Sequence, residues 1–296
     1  MDTKLNASAT ANNVNENTQP TIDSSIGELL VELGKISKAD VERVIKVQHE
    51  KGMRFGDAAI NLGLITEADI NQVLSIQFNY PYLQAGKGSY SKELVAAYAP
   101  FTPQVEAMRT LRSQVVNQWF SEGHKAMAIV SVNDGEGGSS LTANLAILCS
   151  QLGHRTLLVD ANLRDPHQHI LFNLAEKRGL SDILALRQDM SLISGLDTFP
   201  NLSILGAGTL APNPQELLNR ATFANFMNQA MSKFDLILVD ASSAAKSADA
   251  QAVVALCGGA LIVSRLNHTK LSDIADTKAQ IEFTGSRVIG AVINHF

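Results

Sequence analysis

Apolar positions change their period twice along this chain. Over residues 1–23, Asn, Thr, Ser and Ala dominate and there is almost nothing to bury, so a disordered tail is expected. From residue 24 to 83 the apolar positions recur at helical spacing, and the pattern repeats itself. The segment IGELLVELGKISKADVERVIKVQ, starting at Ile26, returns as FGDAAINLGLITEADINQVLSIQ, starting at Phe55. At constant offset Gly27 pairs with Gly56, Gly34 with Gly63, Asp40 with Asp69 and Gln48 with Gln77. Ser37 and Thr66 each precede an apolar-periodic run with Asp three residues on, an N-cap signature in which Asp replaces the Glu or Gln of a capping box. Each repeat therefore reads as helix, Gly-containing turn, capped helix. Two copies predict a small all-helical domain over 24–83.

Residues 84–104 carry Gly, Ser and two Pro and are expected to form a linker. From 105 to 296 the period changes again. Strand-length apolar runs, AMAIVSV, RTLLVD, NLSILGAG, DLILVD, GALIVSRL and VIGAVIN, alternate with helical stretches such as PQELLNRATFANFMNQAM and KLSDIADTKAQIEF. This alternation predicts an α/β domain, its mostly parallel sheet covered on both faces. Ligands of such sheets bind beyond the carboxyl ends of the strands.

Composition narrows the function classes. The formal net charge of −5 argues against a nucleic-acid partner, which calls for a basic surface. No run of 18 apolar residues offers a membrane span, and the first residues lack the apolar core of a signal peptide. Cys149 and Cys257 sit inside apolar patterns, as buried free thiols of a reducing compartment do. A cytoplasmic protein is expected.

The chemistry is concentrated after the first strand of the α/β domain, where SVNDGEGGSSLTANLA runs from Ser131 into a helix predicted to start near Ser139. A strand feeding a Gly-rich turn into a helix N-terminus makes an anion site from backbone N–H groups and the helix dipole. Gly135, Glu136, Gly137, Gly138, Ser139 and Ser140 form this candidate phosphate loop, with Ser139 where a hydroxyl would meet Mg²⁺. Asp160 ends RTLLVD and Asp240 ends DLILVD. Carboxylates at neighbouring strand ends, facing one phosphate loop, suit a hydrated Mg²⁺. The alternative is that both aspartates merely terminate strands.

The set GEGGSSLTANLA, LLVDANLRDPHQHILF, GLSDIL, PNPQELL, FDLILVDASS and Asp249-Ala250 resembles the bacterial tyrosine kinase family, P-loop ATPase relatives with Walker A, A′ and B motifs that act in capsule and exopolysaccharide synthesis. With the helical module, QFNYPYL and the PF-x-PQ-x-EA-x-R-x-LRSQ stretch, the chain is similar to the chain-length determinant tyrosine kinases of exopolysaccharide clusters. The resemblance implies a P-loop NTPase-like fold binding ATP or ADP with Mg²⁺. Gly135–Ser139 would hold the β-phosphate; Ser139, Asp160 and Asp240 would hold the metal, the two aspartates being the catalytic candidates; Asn294 would approach the adenine. Glu106, Arg109 and Arg112 match the family's E-x-x-R-x-x-R helix of self-association, although such a trio is also an ordinary solvated face with i, i+3 pairs. A membrane chain-length determinant protein is the implied partner, holding this subunit at the inner membrane.

Departures from the pattern matter as much. Gly138 stands where the family has Lys or Arg, the cation that neutralises the β- and γ-phosphates. Asn162 replaces the second acidic residue of the A′ motif, and Ala241-Ser242-Ser243 replaces a Thr-Pro-Pro-like sequence. Tyr80, Tyr82, Tyr90 and Tyr98 all precede residue 100, so no tyrosine cluster follows the last strand. Arg164 is the nearest candidate to replace the missing cation, against the alternatives that it pairs with Asp165 or stays solvated. A kept fold with a relaxed catalytic centre is expected. The rivals are an inert adaptor and a partition- or division-type ATPase, the latter disfavoured because its early P-loop lysine is Asn133 here.

The helical module resembles the N-terminal domain of type II secretion ATPases, including the subgroup that binds cyclic di-GMP through paired R-L-G-type motifs. Arg54 and Gly56 match that motif in the second repeat, while the first repeat has Ser25 in the position of Arg54. The alternative is a docking pair of helices whose glycines serve packing alone.

Overall fold

The computed structural model describes residues 25–78, 81–83, 88–175 and 177–296. The tail expected over 1–23 lies outside the described residues. The chain divides into two compact units, Met1–Tyr80 and Pro81–Phe296.

The first unit holds α1 (Ile26–Glu32), α2 (Lys38–Lys51), α3 (Phe55–Asn61) and α4 (Glu67–Gln77). The boxes expected at Ser37–Asp40 and Thr66–Asp69 are both formed, and Ser25 with Glu28 makes a third on α1. Each such cap stabilises its helix by about 1 kcal/mol by satisfying N–H groups the first turn leaves open. Leu29, Leu30, Val44, Ala58, Ala59 and Val73 are fully buried between the helices. Gly27 and Gly56 serve this packing. A Cβ at Gly27 would meet the Phe55 ring at 3.3 Å, and one at Gly56 would meet Ile70 Cδ1 at 3.0 Å.

The second unit runs α5 (Val95–Tyr98), α6 (Pro103–Gln118), β1 (Ala126–Ser131), α7 (Gly138–Gln151), β2 (Thr156–Asp160), α8 (Gln168–Leu171), α9 (Leu180–Leu184), β3 (Ser194–Leu196), β4 (Phe199–Leu205), α10 (Pro214–Leu218), α11 (Ala221–Lys233), β5 (Leu236–Asp240), α12 (Asp249–Cys257), β6 (Gly259–Arg265), α13 (Leu271–Phe283) and β7 (Arg287–Asn294). Its sheet has the order β3-β4-β2-β5-β1-β6-β7 and is parallel except at β3–β4. Successive residues of β1 serve opposite faces. Ala126, Ala128 and Val130 join the core of one layer, Met127 and Ile129 that of the other.

Three sequence expectations are corrected here. Six strands were legible, but β3 was not, because three residues paired antiparallel at an edge carry no apolar run. The stretch PQELLNRATFANFMNQAM forms two helices, interrupted between Leu218 and Ala221. The linker expected over 84–104 is instead built into the domain where it is described: Leu94, Ala96 and Ala97 are fully buried in the core, and α6 already starts at Pro103. Gly88 lies in an exposed bend, Pro100 is buried in a turn, and Pro103 opens α6. Tyr90 and Tyr98 belong to the same packing. The Tyr98 hydroxyl bonds the backbone of Tyr90, whose ring lies edge-on to Phe172.

Candidate nucleotide site

Strand β1 ends at the mouth of the sheet, and the chain turns through Gly135 and Gly137, at φ +74° and +84°, before α7 begins at Gly138. Left-handed φ favours glycine, and Gly137 has a second reason to lack a side chain: a Cβ there would lie 2.8 Å from Asn294 Nδ2. The first-turn N–H groups of α7 have no intrahelical acceptors and face the open end of the loop, a cradle for an anion.

The polar side chains of the loop are turned to different uses. Glu136 is buried, and its carboxylate accepts from the Asn133 N–H and amide at 2.9 Å and from the Thr269 hydroxyl at 2.5 Å. It staples the loop internally. Asn294 donates its amide to the Glu136 carbonyl at 2.7 Å, so this candidate adenine neighbour is spent on holding the loop. Ser140 donates to Glu93, and Asn144 fastens the same segment through the Glu93 carbonyl and the Ala96 N–H. At Gly138 a Cβ would overlap the Ser131 hydroxyl, which fills the space where the family's lysine would branch from the backbone.

Below the loop, Asp160 and Asp240 face each other in register at the ends of β2 and β5, both fully buried. Asp160 accepts backbone N–H groups from Asn162 at 3.2 Å and from His167 and Gln168 at 3.0 Å. Asp240 accepts from the Gln168 amide at 2.7 Å, and the nearby Ser139 hydroxyl favours its charged form. Burial, joined by repulsion from Asp240, holds the Asp160 carboxyl well above the usual carboxylate range. Burial pushes Asp240 up to about 6, against the opposing pull of Gln168 and Ser139. Two buried carboxylates with raised proton affinity and no cation of their own fit a divalent metal, and the oxygen donors Ser139, Asp160 and Asp240 suit Mg²⁺ in kind. Among the described residues no three of His, Cys, Asp and Glu gather as a metal cluster. An Mg²⁺ here would therefore rely on phosphate and water for its remaining ligands.

Gln168 was not singled out from sequence. It is fully buried, and its amide nitrogen bridges the Ser139 carbonyl at 3.0 Å and Asp240, while its Oε1 has no partner. Asn162 has a local role that a carboxylate could not fill. Its side chain donates to the Asp165 carbonyl at 2.8 Å and accepts from the Asp165 N–H at 3.2 Å. Arg164 neither pairs with Asp165 nor stays solvated. Its guanidinium grips the buried Asp249 at 2.6 and 3.1 Å at the start of α12. The GLSDIL segment is likewise structural, Asp182 accepting the Gly179 and Thr209 N–H groups and the Thr209 hydroxyl.

On α6, Glu106 and Arg109 pair at 2.8 Å, as the i, i+3 alternative anticipated. Arg112 donates to the Leu148 carbonyl of α7 at 3.1 Å, inside its own domain. In the helical unit Arg54 is exposed and occupies the N-cap of α3 without a side-chain cap bond, while Gly56 packs on α4. No described helix is long and apolar enough to cross a membrane.

Comparison with known proteins agrees with this architecture. A family model described as cellulose biosynthesis protein BcsQ matches residues 124–280, more than half of the chain. CapB of Staphylococcus aureus, which carries the name of a tyrosine-protein kinase, is 30% identical over 64% of this chain and 83% of its own. The tyrosine-protein kinase YwqD of Bacillus subtilis is 29% identical over 72% and 90%. Among solved structures, the kinase domain of the Escherichia coli tyrosine kinase ETK superimposes with a TM-score of 0.66 at 26% identity, covering 68% of this chain and 79% of that one. With a glycine loop feeding α7, two in-register aspartates beneath it and relatives that match along most of their length, this chain belongs to the P-loop family of bacterial tyrosine-protein kinases.

Proposed function

We propose that this chain is a regulatory subunit of exopolysaccharide chain-length control and export, binding ADP or ATP with Mg²⁺ at the loop before α7 and working in the cytoplasm against a membrane chain-length determinant protein. The observation that carries the nucleotide part is the in-register Asp160–Asp240 pair under the glycine loop that feeds α7. Buried carboxylates are costly without a cation, and this pair gains one when Mg-nucleotide binds.

What these residues do follows from where they stand. The α7 N–H groups would take the phosphates, Ser139 and the two aspartates would hold the cation and its waters, and Gln168 fixes Asp240 in place. Bound Mg²⁺ would supply charge neutralisation on the phosphates. If transfer occurs, the γ-phosphate of ATP passes to a protein tyrosine. The rate of that step suffers from Gly138, because phosphoryl transfer depends on charge placed around the phosphates. The chain is therefore expected to bind nucleotide and to transfer phosphate slowly. An inert adaptor is the rival.

Calorimetric titration of the full chain with Mg-ADP and Mg-ATP separates the two, followed by phosphotyrosine detection on a co-expressed membrane partner. Saturable binding supports the proposal; its absence leaves the adaptor. Self-association is assigned to the α6 face around Glu106 and Arg109, since Arg112 is engaged internally, and light scattering with and without nucleotide tests it.

A second reading concerns the helical unit. Ser25, Ser37 and Thr66 all cap their helices, whereas Arg54 leaves an N-cap without a side-chain bond and is an exposed cation with no ion-pair partner among the described residues. That exchange of a stabilising cap for a cation favours an anionic ligand there, with cyclic di-GMP as the candidate. Titration of the full chain with cyclic di-GMP, beside Arg54→Ala, decides between this and docking alone.

A further inference from the structure

The loss of the P-loop cation leaves the phosphate cradle with backbone dipoles alone. The obvious replacement, Arg164, is committed to the buried Asp249. A different cation stands at the same mouth. The segment after β5 turns back along the start of the phosphate loop: Ala244 N–H donates to the Ser131 carbonyl at 2.9 Å and Ala245 N–H to the Val132 carbonyl at 3.1 Å. The Ser243 hydroxyl adds a bond to Asp134 at 2.6 Å. These contacts fix the backbone at Lys246 beside the first half of the loop. Its ammonium lies 3.2 Å from Asp134, in the phosphate loop, and 4.0 Å from Asp165, in the A′ loop. It therefore sits between the two loops that flank the cradle.

Both carboxylates are largely exposed, 57% and 76% by side chain, and Lys246 keeps 36% exposure. Such ion pairs are weak and exchange readily for a stronger anion. A lysine is a compact charge on a long flexible stem, suited to leave a surface carboxylate for a phosphate without moving the backbone.

We infer that Lys246 supplies in cis the phosphate-neutralising charge that Gly138 no longer provides, with Asp134 and Asp165 holding its ammonium at the loop mouth until nucleotide binds. This rests on the nucleotide-binding reading of the same loop and makes Lys246 a nucleotide-binding residue, taking a di- or triphosphate.

The test is calorimetric titration of the full chain with Mg-ADP and Mg-ATP at several salt concentrations. Lys246→Ala and Lys246→Gln should each weaken binding by roughly tenfold or more, the scale of one charged hydrogen bond, and should flatten the salt dependence by about one counterion. The double variant Asp134→Asn, Asp165→Asn should tighten binding, because the ammonium is released from its rivals. Far-UV dichroism and melting of each variant check that the fold is unchanged, as the exposed position of Lys246 requires. Binding by the unmodified chain with no change in Lys246→Ala overturns the role of Lys246 while leaving the nucleotide site standing. No binding by the unmodified chain overturns both.

Discussion

Arg164 and Asp249 form a two-point clamp, at 2.6 and 3.1 Å, in which the aspartate is buried and the arginine is a third exposed. The clamp joins the loop after β2 to the first turn of α12. It also removes from the phosphate mouth the arginine best placed in sequence to serve there. Its two halves are not equivalent, because only one of them is out of water.

Removing the arginine leaves a buried carboxylate without its cation, whereas removing the aspartate leaves a guanidinium that reaches solvent. Arg164→Ala is therefore expected to destabilise the domain by about 2–3 kcal/mol, after discounting for the exposure of the arginine, and Asp249→Ala by less. Urea unfolding of both variants and of Arg164→Ala/Asp249→Asn checks this. Equal losses for the two single variants would contradict the asymmetry.

Asp240 carries a pH prediction. Its folded proton affinity is raised, to about 6, above that of an unfolded aspartate, so between those values the folded state holds more protons than the unfolded one. Stability contributed by this group is thus highest at low pH and falls as pH rises toward and through 6. Asp240→Asn removes the cost, its Oδ1 keeping the bond from the Gln168 amide. Its melting temperature should exceed that of the unmodified chain at pH 7.5, by an amount worth about 1–3 kcal/mol, and the gap should narrow at pH 4.5. The same variant should lose Mg²⁺-dependent nucleotide affinity. A gap that widens on acidification would refute the assignment.

Restoring the family's cation by Gly138→Lys meets the Ser131 hydroxyl. Because that hydroxyl ends a rotatable side chain, the variant should fold, with a loss of about 1 kcal/mol that Ser131→Ala largely relieves. Nucleotide affinity should rise roughly tenfold in both backgrounds. Melting curves and titrations of the single and double variants read the two effects separately.

Arg54→Ser should install the cap that Ser25 already makes in the first repeat, with Asp57 at the box position. A gain of about 0.5–1 kcal/mol is expected in the helical unit. Hydrogen exchange of α3 amides in the full chain reports it. If cyclic di-GMP binds, the same change should abolish binding while the helices become more stable, a combination that a merely structural arginine would not produce.

The period of the apolar residues was enough to determine the helical repeat, its capped helices and the alternating α/β pattern, because these depend on neighbours along the chain. The glycine loop and the strand-end aspartates were legible for the same reason, as each is a local signature of a strand running into a turn. Partners across the fold were not. Asp249 for Arg164, Glu93 for Ser140, Thr269 for Glu136 and the burial of Leu94 within an expected linker all join residues far apart in sequence. Lys246 left a faint trace, a lone cation in the Ala- and Ser-rich stretch after Asp240, but a charge acquires a role only from what it faces. The packing of β5 beside β1 turned that stretch onto the phosphate loop, and only tertiary structure could decide which cation reaches the mouth of the site and which is held away from it.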